Sequence, residues 1–160
     1  MSIEERLAAL EQIEAIKALK HRYFRACDAK DPDTFRACFT EDADIDYGPL
    51  GGFTDADQLA RVFTRIALHT VDGKPVILDM HHGMHPDISI TGPGTATGHW
   101  TLKFRQLNMI ERTERLLTGE YDDDYVIEDG AWRMARSHFR QLWVITRPLT
   151  DDTIVEAGDD

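Results

Sequence analysis

The feature that most constrains this chain is a single change in the spacing of its apolar residues. In the N-terminal part they recur every three or four positions, as in Ile13, Ile16 and Leu19, which is the spacing of an amphipathic helix. From Pro75 onward apolar and polar residues alternate, as in strands with one buried face. Helices followed by consecutive strands predict an α+β fold, in which N-terminal helices pack on the concave face of a strongly curved antiparallel or mixed sheet.

Local signals place the boundaries of these elements. Ser2 and Glu5 form a capping box that starts a long helix at Ile3, and Asp31-Pro32 ends it and starts a short second helix. A third helix should carry the apolar positions from Leu59 to Ile66. Turn-forming glycines then separate four long strands, over about 76–91, 96–109, 115–127 and 131–146. We expect a single domain over residues 1–149 and a frayed acidic tail over 150–160.

Composition excludes several classes of protein. The 160 residues carry a formal net charge of −11, which would repel a phosphate backbone and argues against nucleic-acid binding. No stretch approaches the roughly 20 apolar residues of a membrane span, and the first residues do not resemble a signal peptide. Cys27 and Cys38 lie in helical patterns and are expected to be free, buried thiols. We therefore expect a cytoplasmic protein without a membrane partner.

Two ionisable residues interrupt the apolar faces of the predicted strands. In the first long strand the even positions from Val76 to Ile90 are apolar except His82, so His82 should face the helices. It could be a hydrogen-bonded core histidine or a residue of a pocket. In the third strand Asp123 shares a face with Tyr121 and Tyr125. It should be paired or protonated in a pocket, unless it reaches water at the edge of the sheet.

Other residues could border the same pocket. Trp100, in the second long strand, should form part of its wall, and a β-bulge near residues 136–138 should bend the last strand and open space beneath the helices. On the first helix Tyr23 lies in the apolar stripe, whereas Asp28 lies at its border. Asp28 could be a solvated residue at the helix end or could converge with Tyr23 on the cavity.

Several segments together resemble the SnoaL-like family. They are the run from Tyr23 through Asp28-Ala-Lys-Asp-Pro, Phe39-Thr-Glu-Asp-Ala-Asp-Ile-Asp-Tyr47-Gly-Pro, Met80-His81-His82-Gly-Met-His85-Pro86, Gly92 to Gly98, Gly119-Glu-Tyr121-Asp-Asp123, and Asp129-Gly130-Ala-Trp132-Arg133. The similarity covers residues from about 10 to 145. It implies the cystatin-like, or nuclear-transport-factor-like, cone of bent sheet closed by helices. One fold hosts many reactions, so it does not identify a particular one.

The dehydratase members of this superfamily, such as scytalone dehydratase and bile-acid 7α-dehydratase, imply specific site residues. They use a tyrosine and an aspartate of the first helix and a histidine of the first long strand, which correspond here to Tyr23, Asp28 and His82. The family's HxxNP pattern also selects His82, although its asparagine is replaced here by His85. Some dehydratases carry a further aspartate or histidine on a later strand. The candidates here are Asp123, because it lies on the inward face of its strand, and His99, because it is a histidine. Tyr47 could act beside Tyr23 as a hydrogen-bond donor.

The resemblance implies a lyase or isomerase, dehydratase-like or cyclase-like, that needs no cofactor or metal. His82 would exchange protons with a hydrophobic steroid, polyketide or aromatic molecule, held by Trp100, Tyr121 and Tyr125. The alternative is a non-catalytic ligand-binding or assembly subunit of the same fold. A metal site at His81, His82, His85 and Asp87 is disfavoured, because strand alternation places them on different faces. Relatives are often oligomeric, which implies a homodimer or homotrimer.

Overall fold

Three helices pack on one face of a six-stranded sheet in the computed structural model, which describes residues 1–156 and 158. The helices are α1 (Ile3–Asp28), α2 (Pro32–Ala37) and α3 (Ala56–Ala67). The strands are β1 (Phe39–Asp46), β2 (Gly52–Phe53), β3 (Thr70–Val71), β4 (Lys74–Pro75), β5 (Ile77–Gly92), β6 (Thr95–Asn108), β7 (Thr113–Glu128) and β8 (Ala131–Pro148). The predicted order of helices before long strands is confirmed, and the four long strands lie within two residues of their predicted bounds.

The large sheet has the strand order β2-β1-β8-β7-β6-β5, and it does not close into a barrel. Strands β5 to β8 form an antiparallel meander, whereas β1 runs parallel to β8 and connects the helical half of the chain to the meander. The sheet is therefore mixed, as expected. Strands β3 and β4 form a separate two-stranded sheet.

Helix α1 lies against β5, and local sequence determines where it begins. The predicted capping box is present, because Ser2 and Glu5 each hydrogen-bond the other's backbone N–H. The half of α1 nearest the sheet buries one stripe of residues, namely Ile16, Leu19, Lys20, Tyr23, Phe24, Ala26 and Cys27. Because this stripe ends at Cys27, Asp28 lies at the boundary between the helix and strand β5. Among the described helices, none combines the length and apolar composition that crossing a bilayer requires.

β-Bulges in β5 and β8 bend these strands and change which residues face the helices. In β5 one extra residue lies between Met84 and Asp87, where His85 adopts a φ of 52°. In β8 the register places one extra residue at Ala135, directly before the predicted position at 136–138, and a second, unpredicted one at Leu142. After the second of these bulges Trp143 is 54% exposed. The face predicted by simple alternation is therefore correct for only part of β5 and of β8.

The structure does not test every predicted boundary of the domain and its tail. The expected domain over 1–149 stays a prediction. The frayed tail expected over 150–160 falls partly on residues 157, 159 and 160, which lie outside the described residues.

Candidate active site

A cavity of about 340 Å³ lies between the concave face of the sheet and helices α1 and α3. Most of its wall is apolar, contributed by Phe35, Leu59, Val62, Phe63, Leu102, Phe104, Leu117 and Phe139. The polar side chains of the wall are Tyr23, Tyr47, Asp79, His81, Gln106, Arg115, Tyr121 and Gln141. A concave, mainly apolar space with a few polar groups is the usual form of a small-molecule site.

The imidazole in this wall belongs to His81, and it is paired with Asp28. Nδ1 of His81 lies 2.7 Å from Oδ1 of Asp28, and the backbone N–H of His81 also donates to both carboxylate oxygens, at 3.0 and 3.1 Å. The His81 side chain is 15% exposed and that of Asp28 is 23% exposed. A neutral imidazole whose Nδ1–H donates to a carboxylate keeps its lone pair on Nε2. The pair therefore has the arrangement of a general base oriented by an acid.

Aromatic packing holds the His81 ring in place. The ring stacks on Phe24 at a centroid distance of 5.9 Å and contacts Phe104 at 4.6 Å. Phe24 reaches the sheet because residue 83 is glycine, where an added Cβ would lie 2.1 Å from the Phe24 ring. A glycine two positions after the histidine thus lets helix α1 approach closely enough to present Asp28 to His81.

The prediction that His82 faces the helices is wrong. His82 is exposed on the outer face of β5, and His81 takes the inward position. Regular alternation holds after the bulge, where Ile88 and Ile90 face the helices, but the extra residue after Met84 reverses the faces of the residues before it. The expected contact between Asp28 and the strand's histidine is present, although with the neighbouring residue.

Two tyrosines form a hydrogen-bonded pair in the cavity wall. The hydroxyl of Tyr23 donates to that of Tyr47 over 2.8 Å, and Tyr47 in turn reaches Oγ of Ser137 at 3.4 Å. Burial raises the pKa of Tyr23 well above its ordinary value, and burial likewise raises the pKa of Tyr47. Both phenols therefore stay protonated near neutral pH and can act as hydrogen-bond donors. Tyr121 also lines the cavity, as predicted.

Asp123 is buried and paired, as expected for a carboxylate on an aromatic face, but the sequence did not identify its partner. Its Oδ2 lies 2.7 Å from Nζ of Lys20, and both side chains are 0% exposed. The carboxylate also accepts hydrogen bonds of 2.7 Å from Tyr125 and from Ser137. Burial lowers the pKa of Lys20, an effect that the charge of Asp123 opposes. The available signal was a lysine within the apolar stripe of α1, one turn after Ile16.

This ion pair lies behind the cavity wall. Contrary to the prediction, the cavity is not lined by Asp123, Trp100 or Tyr125. These side chains bond to one another instead: the Trp100 indole donates to the Tyr125 hydroxyl at 3.0 Å, and that hydroxyl donates to Asp123. The network still touches the site, since Nζ of Lys20 lies 3.8 Å from the centroid of the Tyr121 ring. His99 points away on the outer face, where it hydrogen-bonds Asp122 at 2.8 Å.

Asp79 is a further acid that the sequence argument placed on the outer face. It lines the cavity beside His81, and its carboxylate pairs with Nζ of Lys30 at 2.8 Å. Asp28, Asp79 and His81 offer ligand atoms within 4.8 Å of one another, which is compact enough to hold a metal ion. Two of these groups already bond to each other and the third to a lysine, so this arrangement fits an acid–base site better. His85 and Asp87 of the disfavoured metal motif are exposed.

Comparisons with known proteins agree with this architecture. A family model described as a SnoaL-like domain matches residues 8–138. A candidate scytalone dehydratase from Novosphingobium aromaticivorans is 23% identical, with a TM-score of 0.76 over 92% of this chain and 97% of that chain. A hexachlorocyclohexane dehydrochlorinase from Novosphingobium barchaimii is 17% identical, with a TM-score of 0.73 over 98% of this chain and 100% of that chain.

A third similar structure defines the fold class. It is a protein with a cystatin-like fold from Nostoc punctiforme, 17% identical, with a TM-score of 0.61 over 88% of this chain and 93% of that chain. At identities this low, the structural likenesses establish the fold alone. They confirm the α+β, cystatin-like cone expected from the sequence.

Proposed function

This chain belongs to the SnoaL-like domain family, and from that premise we propose that it is a cofactor-independent lyase or isomerase acting on a hydrophobic small molecule. The observation that carries the proposal is the Asp28–His81 pair, joined at 2.7 Å, with its imidazole in the wall of an apolar cavity. The likeness to a candidate dehydratase and to a dehydrochlorinase supports the reaction class, because both names describe eliminations.

In this mechanism His81 is the catalytic base. Its Nε2 removes a proton from a carbon next to a carbonyl, and the C–H electrons form a double bond as the leaving group departs from the neighbouring carbon. Asp28 stabilises the resulting imidazolium through Nδ1–H. In a dehydration, the imidazolium then returns its proton to the departing hydroxide and water leaves. In an isomerisation, the same proton returns to a different carbon.

Tyr23 is proposed as the hydrogen-bond donor to the carbonyl oxygen: when a ligand binds, its hydroxyl proton turns from Tyr47 to the ligand, and Tyr47 then donates to the Tyr23 oxygen. Negative charge grows on that oxygen as the proton leaves, so a donor already in place stabilises the transition state. The two hydroxyls are hydrogen-bonded at 2.8 Å, and both side chains line the cavity that His81 also lines. Burial raises the pKa of both phenols, so they are protonated near neutral pH and able to donate.

The cavity also favours a class of substrate. Its volume of about 340 Å³ lies near the lower end of the usual range for small-molecule sites. Within the classes expected from the sequence, this favours a compact aromatic or polyketide-derived ring system over a complete steroid. Leu59 and Phe63 of α3 and Leu102 of β6 would contact its apolar surface.

The test requires a screen of cyclic β-hydroxy ketones and related aromatic compounds, with product detection by mass spectrometry. Against any compound that is converted, His81→Ala and Asp28→Asn should each lower kcat by about 10²- to 10⁴-fold, the usual contribution of a general base. His82→Ala is the matched control, because it removes the adjacent, exposed imidazole and should leave kcat within about twofold. Full activity of His81→Ala would refute the mechanism. Ligand binding without any product would favour the alternative of a non-catalytic binding subunit.

The expected homodimer or homotrimer stays a prediction. Sedimentation velocity at micromolar concentration would show a single species of two or three times the chain mass of 18.2 kDa. A monomer at that concentration would contradict it.

A further inference from the structure

One cation in the cavity wall, Arg115, has no acidic partner within the part of the chain that the structure describes. Every other arginine of strands β6 to β8 pairs with a carboxylate; these pairs are Arg105–Glu114, Arg133–Glu128, Arg136–Asp44, Arg140–Glu120 and Arg147–Glu114. Arg115 has no carboxylate within 4.0 Å among residues 1–156 and 158, and it lines the cavity. Its Nη2 donates to the amide oxygen of Gln141, at 3.3 Å.

The register of the sheet places Arg115 at a distance from the catalytic pair. Asp79, Gln106 and Arg115 lie opposite one another on β5, β6 and β7, and His81, Phe104 and Leu117 form the next row on the same face. With strands about 4.8 Å apart and a rise of about 3.4 Å per residue, the Cα atoms of His81 and Arg115 are separated by about 12 Å. The two side chains therefore meet different parts of one bound molecule.

The charges at the two ends differ in sign. The His81 end has two carboxylates, those of Asp28 and Asp79, and one ammonium group, that of Lys30, so its net charge is negative and would repel an anionic group on a ligand. At the other end Arg115 lies between two neutral amides, Gln106 and Gln141, in a wall that is otherwise apolar. A half-buried guanidinium presents several N–H donors in the fork geometry that matches a carboxylate.

We propose that Arg115 is a specificity-determining residue that binds a carboxylate on the substrate. This inference rests on the proposed function, because it takes the cavity as the substrate site. The carboxylate would accept hydrogen bonds from Arg115, and the two amides would donate to any oxygen left over. An anion held there orients the molecule, so that its reacting C–H bond lies at the His81 end. The substrate is then an amphiphilic ring compound with an acid at one end.

The experiment compares 2-naphthoate with 2-naphthamide, which have nearly the same shape but differ in charge. Isothermal titration calorimetry at pH 7.5 should show that the wild-type protein binds the carboxylate about 10- to 100-fold more tightly, the usual effect of charge-assisted hydrogen bonds. Arg115→Gln should abolish this preference, and Arg115→Lys should retain part of it. Arg140→Gln is the matched control, because Arg140 pairs with Glu120 outside the cavity.

The outcomes separate this inference from the proposed function. Equal affinities for the two probes, no binding of the naphthoate, or a preference that survives in a folded Arg115→Gln protein would overturn the role of Arg115. His81→Ala should keep the preference, since binding does not need the base. A carboxylate preference that depends on Arg115, in a protein that converts no compound, would leave this inference standing and count against the proposed reaction.

Discussion

The buried ion pair between Lys20 and Asp123 allows a stability change to be calculated in both size and pH dependence. In Lys20→Met the Asp123 carboxylate loses its counter-charge but keeps hydrogen bonds of 2.7 Å from Tyr125 and Ser137. Removing one partner of a buried pair typically destabilises a protein by about 3–5 kcal/mol, because the other charge is left uncompensated. We expect a loss of that order in the free energy of unfolding at pH 7.

Protonation sets an upper limit to this loss. The unpaired carboxyl group can become neutral by taking up a proton. For a carboxyl group with an ordinary pKa of about 3.9, protonation costs about 4 kcal/mol at pH 7 but only about 1.5 kcal/mol at pH 5. Without the counter-charge, burial favours the neutral form of this carboxyl group, so the variant gains stability relative to wild type as the pH falls. The destabilisation by Lys20→Met should therefore shrink by up to about 2.5 kcal/mol between pH 7 and pH 5.

The reciprocal variant should respond in the opposite direction. In Asp123→Asn the buried Lys20 loses its counter-charge. Deprotonating a lysine with an ordinary pKa of about 10.4 costs about 4.6 kcal/mol at pH 7 and about 2 kcal/mol at pH 9. Its destabilisation should shrink as the pH rises, because folding then lowers the pKa of Lys20 and the unfolded chain binds more protons.

Urea unfolding followed by circular dichroism would measure these differences against wild type at each pH. Lys17→Met is the matched control: this lysine lies one turn earlier on α1, in a surface pair with Glu14, and its loss should change stability by less than about 0.5 kcal/mol. A loss below about 1 kcal/mol for Lys20→Met at pH 7, or an equal loss at pH 5 and pH 7, would refute the reasoning.

Two further predictions concern packing and charge. Gly83→Ala should destabilise the protein by about 1–3 kcal/mol, because the added Cβ would overlap the Phe24 ring. In thermal unfolding, adding Phe24→Ala to this variant should cost less stability than Phe24→Ala costs in the wild-type protein, because the overlap is then relieved. No loss of stability in the single variant would contradict the close approach of α1 to β5. The hydrogen bonds from Arg147 and Arg105 lower the pKa of Glu114 below its ordinary value of 4.5. Their stabilisation is therefore present above that pH and disappears as the pH falls through the folded-state pKa. In acid titrations Glu114→Gln should be less stable than wild type by about 1–2 kcal/mol at pH 7 and nearly equal to it below pH 3, and a constant difference would argue against the pair.

Much of the fold could be predicted from the sequence because local patterns encode it. The capping box at Ser2, the change of period near Pro75 and the turns at Gly92 and Asp129 each depend on residues a few positions apart. Physical rules for helix starts, strand alternation and hairpins act over the same short range. Element type and order therefore followed from these patterns, and the family resemblance supplied the cone architecture.

The site was only partly accessible by the same reasoning. Tyr23, Asp28, Tyr47 and Tyr121 were named in advance, and the structure places three of them in the cavity wall and Asp28 directly behind it. The imidazole was assigned to the wrong neighbour, because one bulged residue at His85 reverses every earlier side chain of β5. Strand alternation is exact only while the ladder is regular.

The order of the helices and strands and their approximate bounds follow from the sequence pattern, and the family resemblance adds the proposed site residues of the first helix. The packing of distant segments was needed to show that His81 meets Asp28, that Lys20 neutralises Asp123 across 103 positions of the chain, and that Arg115 has no acidic partner in the described residues. The two kinds of information differ in range. Backbone preference and periodicity act between near neighbours, whereas bulges and ion pairs depend on how distant segments pack together.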